Sequence, residues 1–467
     1  MITGRTDAEQ LTPAETGLIG LAPLRSSRWS RALLTGAAMA IAATYLVGLD
    51  SPLRMTTDSL VYLAKAVGIP PPPHSHHYPP GYSVLLHAAM HLGLGSASGF
   101  VAVNLLLLIV ALLAVYRLCR RPLGLTPTGA AVVCLLLLLS HSVSQFTPFV
   151  MSDIPDLAVT LLCLLALTTA EQRAGWPRLA WLLFAAALAA AAISIRLEAI
   201  ALVPPLALVA VGAPRVCRLW RWGRRRPALV IPIGAVSLLV AVAVAVLVAG
   251  ATRYGHEIAD SWGAGGGLVP FLGRTGFKVV LRLRTVGELA SQTNCCVRLS
   301  GAFGRAVTPG FKGALLIAGL AVIALVVIGW RARRRFGAIE LFLISTAVVV
   351  MAYGALTRYW IAAFPFMIVY AYYAVRRLAR FKPVKVAAVL YVVAFTVAGS
   401  AWLGEEVTIS TSGRHFPSWE ATAIEPTLAP TYRIAFGEAR PGDDRNLNPT
   451  ALALLRRFEP LARDPHG

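Results

Sequence analysis

The sequence predicts an all-α polytopic membrane protein, and three observations predict it. Of its 467 residues, 57% are hydrophobic and only 14% charged, against about 45–50% and about 25% in soluble domains. Apolar runs recur along the chain at the length of about 18–20 residues that crosses a bilayer as helix. The net charge of +21 gathers in short clusters between those runs. This combination excludes a disordered chain, a disulfide-rich secreted module and an ordinary cytosolic enzyme.

About eleven spans are expected, within a range of 10–13, near 32–49, 98–116, 129–146, 155–170, 178–194, 199–213, 228–250, 311–329, 338–356, 359–375 and 384–401. They must be helical, because every backbone polar group in lipid needs a partner within the chain. The run at 32–49 lacks a small-residue cleavage site and reads as a retained first span. Basic clusters follow alternate spans, beginning with Arg25, Arg28 and Arg31 and ending with Arg376, Arg377, Arg380, Lys382 and Lys385. By the positive-inside rule these loops are cytoplasmic, and so is the N-terminus. They hold 24 of the 43 basic residues. The charge is therefore a topological address and predicts no nucleic-acid partner.

Three regions follow: a cytoplasmic segment 1–31, a membrane domain 32–401, and an outer C-terminal tail 402–467. The membrane domain carries two sizeable outer loops, 50–97 and 251–310. Residues 82–95 are apolar but too short to cross, so they read as a juxtamembrane or re-entrant helix. The inner loops are short, which favours a site facing outward. Six cysteines add little, and the adjacent Cys295 and Cys296 leave their oxidation state open.

The densest chemistry lies after the first span. In Asp58-Ser-Leu-Val-Tyr62-Leu-Ala-Lys65, Thr57 or Asp58 can cap a short helix with Leu60, Leu63, Ala64 and Val67 on its apolar face. Asp58 then stands at the membrane surface, where an ionisable group is a candidate for function as well as for capping. A stiff proline run follows and ends in His74, His76, His77, Tyr78 and Tyr82. The histidines suit a divalent metal, and they suit interfacial hydrogen bonding equally. Asp153 and Asp156 open the fourth span on the same outer side, as caps or as partners of Asp58 in general-base work on a hydroxyl. Arg196 with Glu198, and Arg358 with Tyr359, occupy two further outer turns. The i, i+2 spacing of Arg196 and Glu198 predicts separate partners for them. Both arginines suit either lipid headgroups or a bound phosphate.

Asp58-Ser-x-x-Tyr62, Tyr78-Pro-Pro-Gly81-Tyr82, Val115–Arg121 and Ser152-Asp-Ile-Pro-Asp156, in that order and sidedness, resemble the GT-C superfamily of membrane glycosyltransferases. The resemblance is to the branch with protein O-mannosyltransferases and the lipid A aminoarabinose transferase. It covers residues 1–215 well and the rest loosely. It implies a GT-C-like bundle and an inverting transfer from a polyprenyl-phosphate sugar to a glycan, lipid or protein acceptor on the outer side. It also implies Asp58 as catalytic base and Asp153 as the second acid, with Arg196, Arg358 and Lys65 on the donor phosphate. Tyr62, His77, Tyr78, Tyr82, Asp156, Glu198 and Tyr359 fall to substrate binding. Asp58 stands without an adjacent acid where some mannosyltransferases carry an adjacent pair, which leaves a divalent metal open. The Ala- and Arg-rich composition fits a bacterial inner membrane. A secondary transporter and a non-catalytic lipid-binding envelope-assembly protein are the other readings. Mostly plain apolar spans count against the transporter.

Overall fold

A computed structural model describes residues 28–72, 78–211, 268–293, 309–353, 357–411 and 427–459. The expected span 228–250, His74, His76, His77, Cys295 and Cys296 lie outside the described residues. The described residues form helices and no named strand; an isolated parallel bridge joins Arg54 to Phe149.

The helices run α1 (Arg28–Val47), α2 (Thr57–Val67), α3 (Gly81–His91), α4 (Ala97–Arg120), α5 (Pro127–Leu138), α6 (His141–Phe146), α7 (Asp153–Glu171), α8 (Gly175–Ile195) and α9 (Val203–Val211). They continue with α10 (Leu268–Ser291), α11 (Pro309–Arg333), α12 (Ala338–Tyr353), α13 (Phe364–Leu378), α14 (Lys382–Thr411), α15 (Ala429–Ala435) and α16 (Pro449–Phe458). Short 3-10 turns at Leu197–Leu202 and Thr357–Trp360 join α8 to α9 and α12 to α13. Among the described residues, α4, α7, α8, α11 and α14 are long and apolar enough to cross a membrane. The apolar helices around α1, α5, α9 and α12 are shorter. Of the five long helices α7 is the most buried, and it packs against both α4 and α8. Its N-terminal end therefore sits over the centre of the bundle.

Two expected elements come out differently. The expected span 129–146 is broken into α5 and α6 at Leu139 and Ser140. The Gln292 side chain closes the break, donating to the Leu139 carbonyl at 2.8 Å and accepting the His141 N–H at 2.7 Å. Backbone groups freed inside an apolar bundle need such partners. The second difference is α10, a 24-residue helix inside the stretch expected as the loop 251–310. Its arginines and lysine interrupt every apolar run, so hydropathy alone does not reveal it.

Helix α10 packs closely on α11 through two glycines. A Cβ on Gly287 would stand 1.8 Å from the Leu315 carbonyl oxygen, and one on Gly319 would stand 2.0 Å from that of Leu283. Small residues permit such backbone approach between membrane helices. Gly287→Ala is expected to push the helices apart at a cost of about 1–3 kcal/mol. A lowered thermal midpoint of the purified protein in detergent checks this, and an unchanged midpoint would contradict it.

The C-terminal tail folds back onto the first loop. Helix α14 runs past its expected end at 401 to Thr411, and α15 and α16 then cover α2. Leu60 and Leu63 of α2 share a core with Tyr432, Leu454, Leu455 and Phe458. The Tyr432 hydroxyl donates to the Leu53 carbonyl at 2.6 Å and accepts the Met55 N–H at 3.1 Å. Glu459 accepts the Leu53 N–H at 2.9 Å. One face of α2 is thus held by the tail, and Asp58 lies on another.

Candidate active site

The first turn of α2 is capped one residue earlier than the spacing predicts. Thr56 accepts from the Ser59 N–H at 3.3 Å, and the Ser59 hydroxyl accepts from the Thr56 N–H at 2.9 Å. This reciprocal box satisfies the helix end, so the carboxylate of Asp58 is not used as the cap. It accepts instead from the Tyr78 hydroxyl at 2.7 Å and from Arg358 Nη2 at 2.9 Å. Tyr62, one turn further along α2, meets Tyr78 and Tyr82 edge-on, with ring centroids 5.5 and 5.0 Å away. Its hydroxyl lies 3.4 Å from Ser152 Oγ. Lys65 donates to the Tyr78 carbonyl at 3.0 Å, and burial holds its pKa below the usual lysine value. Lys65 therefore fixes the Tyr78 backbone while Asp58 fixes the Tyr78 ring.

Asp153 begins α7, and it too is released from capping. Its Oδ1 accepts from Arg196 Nη1 at 2.5 Å, and its Oδ2 lies 4.0 Å from Arg358 Nη1. Arg196 is extended (φ −148°, ψ 131°), which ends α8. That break corrects the expectation of separate partners for Arg196 and Glu198. With no helix through this point, Arg196 Nη2 reaches Glu198 Oε1 at 3.4 Å as well as holding Asp153. The Arg196 guanidinium also lies 5.3 Å from the centre of the Tyr359 ring. Asp156, one turn into α7, accepts from Thr160 at 3.4 Å and faces the same space.

Arg358 stands in the 3-10 turn between α12 and α13. Burial opposes its charge, but Asp153 and Asp58 outweigh that effect and raise its pKa, so the guanidinium stays charged. One continuous chain of polar contacts results: Tyr78, Asp58, Arg358, Asp153, Arg196, Glu198. Asp153, Asp156, Arg196, Glu198, Arg358 and Tyr359 line a small cleft beside it. The structure thus gathers Asp58, Asp153, Asp156, Arg196, Glu198, Arg358, Tyr359, Tyr62, Tyr78 and Tyr82 from five separate stretches of chain.

Accessibility separates the two acids. The Asp58 side chain is 21% exposed and that of Asp153 is 1% exposed. A base must reach the proton it takes, and only Asp58 of these two is open to an entering hydroxyl. The two arginines differ in the same way. Each is flanked by two carboxylates, but the Arg358 side chain is 18% exposed against 8% for Arg196.

Thr285 and Glu288 of α10, which no sequence motif singles out, hold the turn that carries Arg358. Thr285 accepts from Trp360 Nε1 at 3.1 Å, and Glu288 accepts from the Thr357 hydroxyl at 3.0 Å. The signal that finds them is helical spacing of the polar residues Arg282, Thr285, Glu288 and Gln292, all buried. Among the described residues, no group of three or more His, Cys, Asp or Glu side chains is placed to hold a metal ion.

Residues 77–248 match the family model described as dolichyl-phosphate-mannose-protein mannosyltransferase. The match takes in Tyr78, Tyr82, Asp153, Asp156, Arg196 and Glu198, and it leaves Asp58 and Arg358 to be joined to them by geometry. No curated protein and no solved structure matches the chain.

Proposed function

We infer that this chain, a GT-C superfamily membrane glycosyltransferase by its match over 77–248, moves a sugar from a polyprenyl-phosphate donor to an acceptor hydroxyl at the outer membrane face. The observation that carries the reading is the direct pairing of Asp58 with Arg358, 300 residues apart in sequence. It sets an accessible carboxylate beside a partly exposed guanidinium.

The chemistry then divides between them. The donor's phosphate draws the guanidinium of Arg358, which suits a phosphate's oxygens with its planar fork. Asp58 Oδ2 is freed by that move. It takes the acceptor's hydroxyl proton while the acceptor oxygen attacks the anomeric carbon from the side opposite the phosphate. The carbon–oxygen bond to the phosphate breaks, its electron pair stays on the phosphate oxygen, and Arg358 holds the new charge. The product is inverted at the anomeric carbon. Asp153 and Arg196 hold the frame, Tyr78 orients Asp58, and Asp156, Glu198 and Tyr359 meet the sugar in the cleft.

In this reading the chain has about eleven spans, a cytoplasmic N-terminus and an outward tail, in a bacterial inner membrane. The basic residues at the ends of α4, α11 and α13 support that orientation, because the candidate site lies at the opposite helix ends. The sugar and the acceptor are tested by mass spectrometry of envelope glycans, lipids and proteins from cells with and without the protein. A sugar-bearing product that depends on the protein is expected. Identical envelopes would count against the reading, and protein-dependent uptake of a labelled solute into vesicles would favour a transporter.

A further inference from the structure

We propose that Glu288 is a positioning residue for the donor phosphate, acting through Thr357 on Arg358. The proposal rests on the reading of Arg358 as the phosphate-binding group. Helix α10 presents a buried polar ladder, its rungs tied to three parts of the bundle. Arg282 Nε donates to the Val350 carbonyl of α12 at 2.8 Å. Gln292 closes the break between α5 and α6. The two rungs between them, Thr285 and Glu288, both end on the 3-10 turn Thr357–Trp360.

That placement is specific. Thr357 and Trp360 are the first and last residues of the turn, and Arg358 and Tyr359 are the two between them. Pinning both ends fixes the backbone from which the Arg358 and Tyr359 side chains project. The side chains of the turn's ends go to α10, and the side chain of Arg358 goes to Asp58 and Asp153. Glu288 is 1% exposed. A carboxylate so deep is costly unless fully paired. It is held by Thr357 on one oxygen and by Arg284 Nε, at 3.0 Å, on the other. An apolar residue would fill the same volume without that cost. The pairing gives Glu288 a directional hold on the turn, which apolar packing lacks.

A planar guanidinium recognises phosphate by aligned hydrogen bonds, so a small rotation of its anchor weakens binding more than it disturbs the fold. Purified protein in detergent is titrated with a short-chain polyprenyl monophosphate, and with the neutral polyprenol of the same length. Thr357→Val is expected to weaken phosphate binding about tenfold, with polyprenol affinity and thermal midpoint held near wild type. Thr357→Ser, which keeps the hydroxyl, is expected to match wild type. Thr357→Ala carries the same expectation as the valine should the valine not fold. Arg358→Gln tests the underlying reading and should weaken phosphate binding at least as much. If Arg358→Gln weakens phosphate binding and neither hydroxyl-lacking variant does, Glu288 and Thr357 do not position Arg358. Equal loss for phosphate and polyprenol, or loss of folded protein in both variants, makes the bond merely structural and overturns the proposal. Unchanged phosphate binding in Arg358→Gln overturns the reading on which it rests.

Discussion

Asp58→Asn is expected to reduce transfer by about 10²–10⁴-fold, the contribution of a positioned general base, while folded protein reaches wild-type levels. Asparagine keeps the shape of the side chain and an oxygen that can still accept from Tyr78 or Arg358. It cannot take a proton at neutral pH. The stability cost should stay within about 1 kcal/mol, because the Asp58–Arg358 pair is partly exposed to solvent and such pairs contribute little. Binding of a polyprenyl monophosphate should not weaken, since Arg358 loses a competitor for its fork. That split between unimpaired donor binding and lost turnover distinguishes a base from a binding residue. Transfer within tenfold of wild type would remove Asp58 from the role. Asp153 would be a poor replacement, because it is sealed from solvent and already held by Arg196.

Arg54→Met is expected to destabilise the folded protein by about 3–5 kcal/mol, the usual result of leaving one member of a buried ion pair alone. The Arg54 side chain is fully buried and pairs with Glu406 at 2.5 Å. Its Nε donates to Ser51 at 2.8 Å and its Nη2 to Ser410 at 2.9 Å. It therefore ties the first loop to the end of α14, from which the tail departs toward α15 and α16. Arg54→Met combined with Glu406→Leu should recover most of the loss, since buried pairs are often replaced by apolar residues without penalty. Thermal midpoints of the single and double variants decide the matter. A double variant no better than Arg54→Met alone would show that the serines or the Phe149 ring, whose centre lies 5.8 Å from the guanidinium, and not the ion pair, dominate this contact.

Much of the site was legible in the sequence because membrane composition makes its few outer charges conspicuous. Asp58, Asp153, Arg196 and Arg358 each stand out against apolar spans, and topology puts all four at one end of the bundle. Their partners were less legible. Capping spacing alone does not show that Thr56 and Ser59 satisfy the first turn of α2, so Asp58 looked like a cap. Helical spacing separates Arg196 from Glu198 only where the helix continues, and it ends at Arg196. Helix α10 is hidden because Arg282, Arg284 and Glu288 dilute its hydropathy, although Arg282 and Glu288 are buried and Arg284 is half-buried. The fold-back of the tail rests on contacts such as Tyr432 to Leu53, 379 residues apart. No local pattern encodes such a pairing.

The Asp58–Arg358 pair is proposed to turn over a polyprenyl-phosphate sugar. Its most direct test uses purified protein in lipid vesicles with a panel of polyprenyl-phosphate sugars and acceptor extract from cells lacking the protein. Formation of free polyprenyl phosphate is measured for wild type and for Asp58→Asn. Acceptor-dependent release from at least one donor is expected of wild type, and almost none of the variant. Equal release by the two proteins, or none by wild type from any donor, would contradict it.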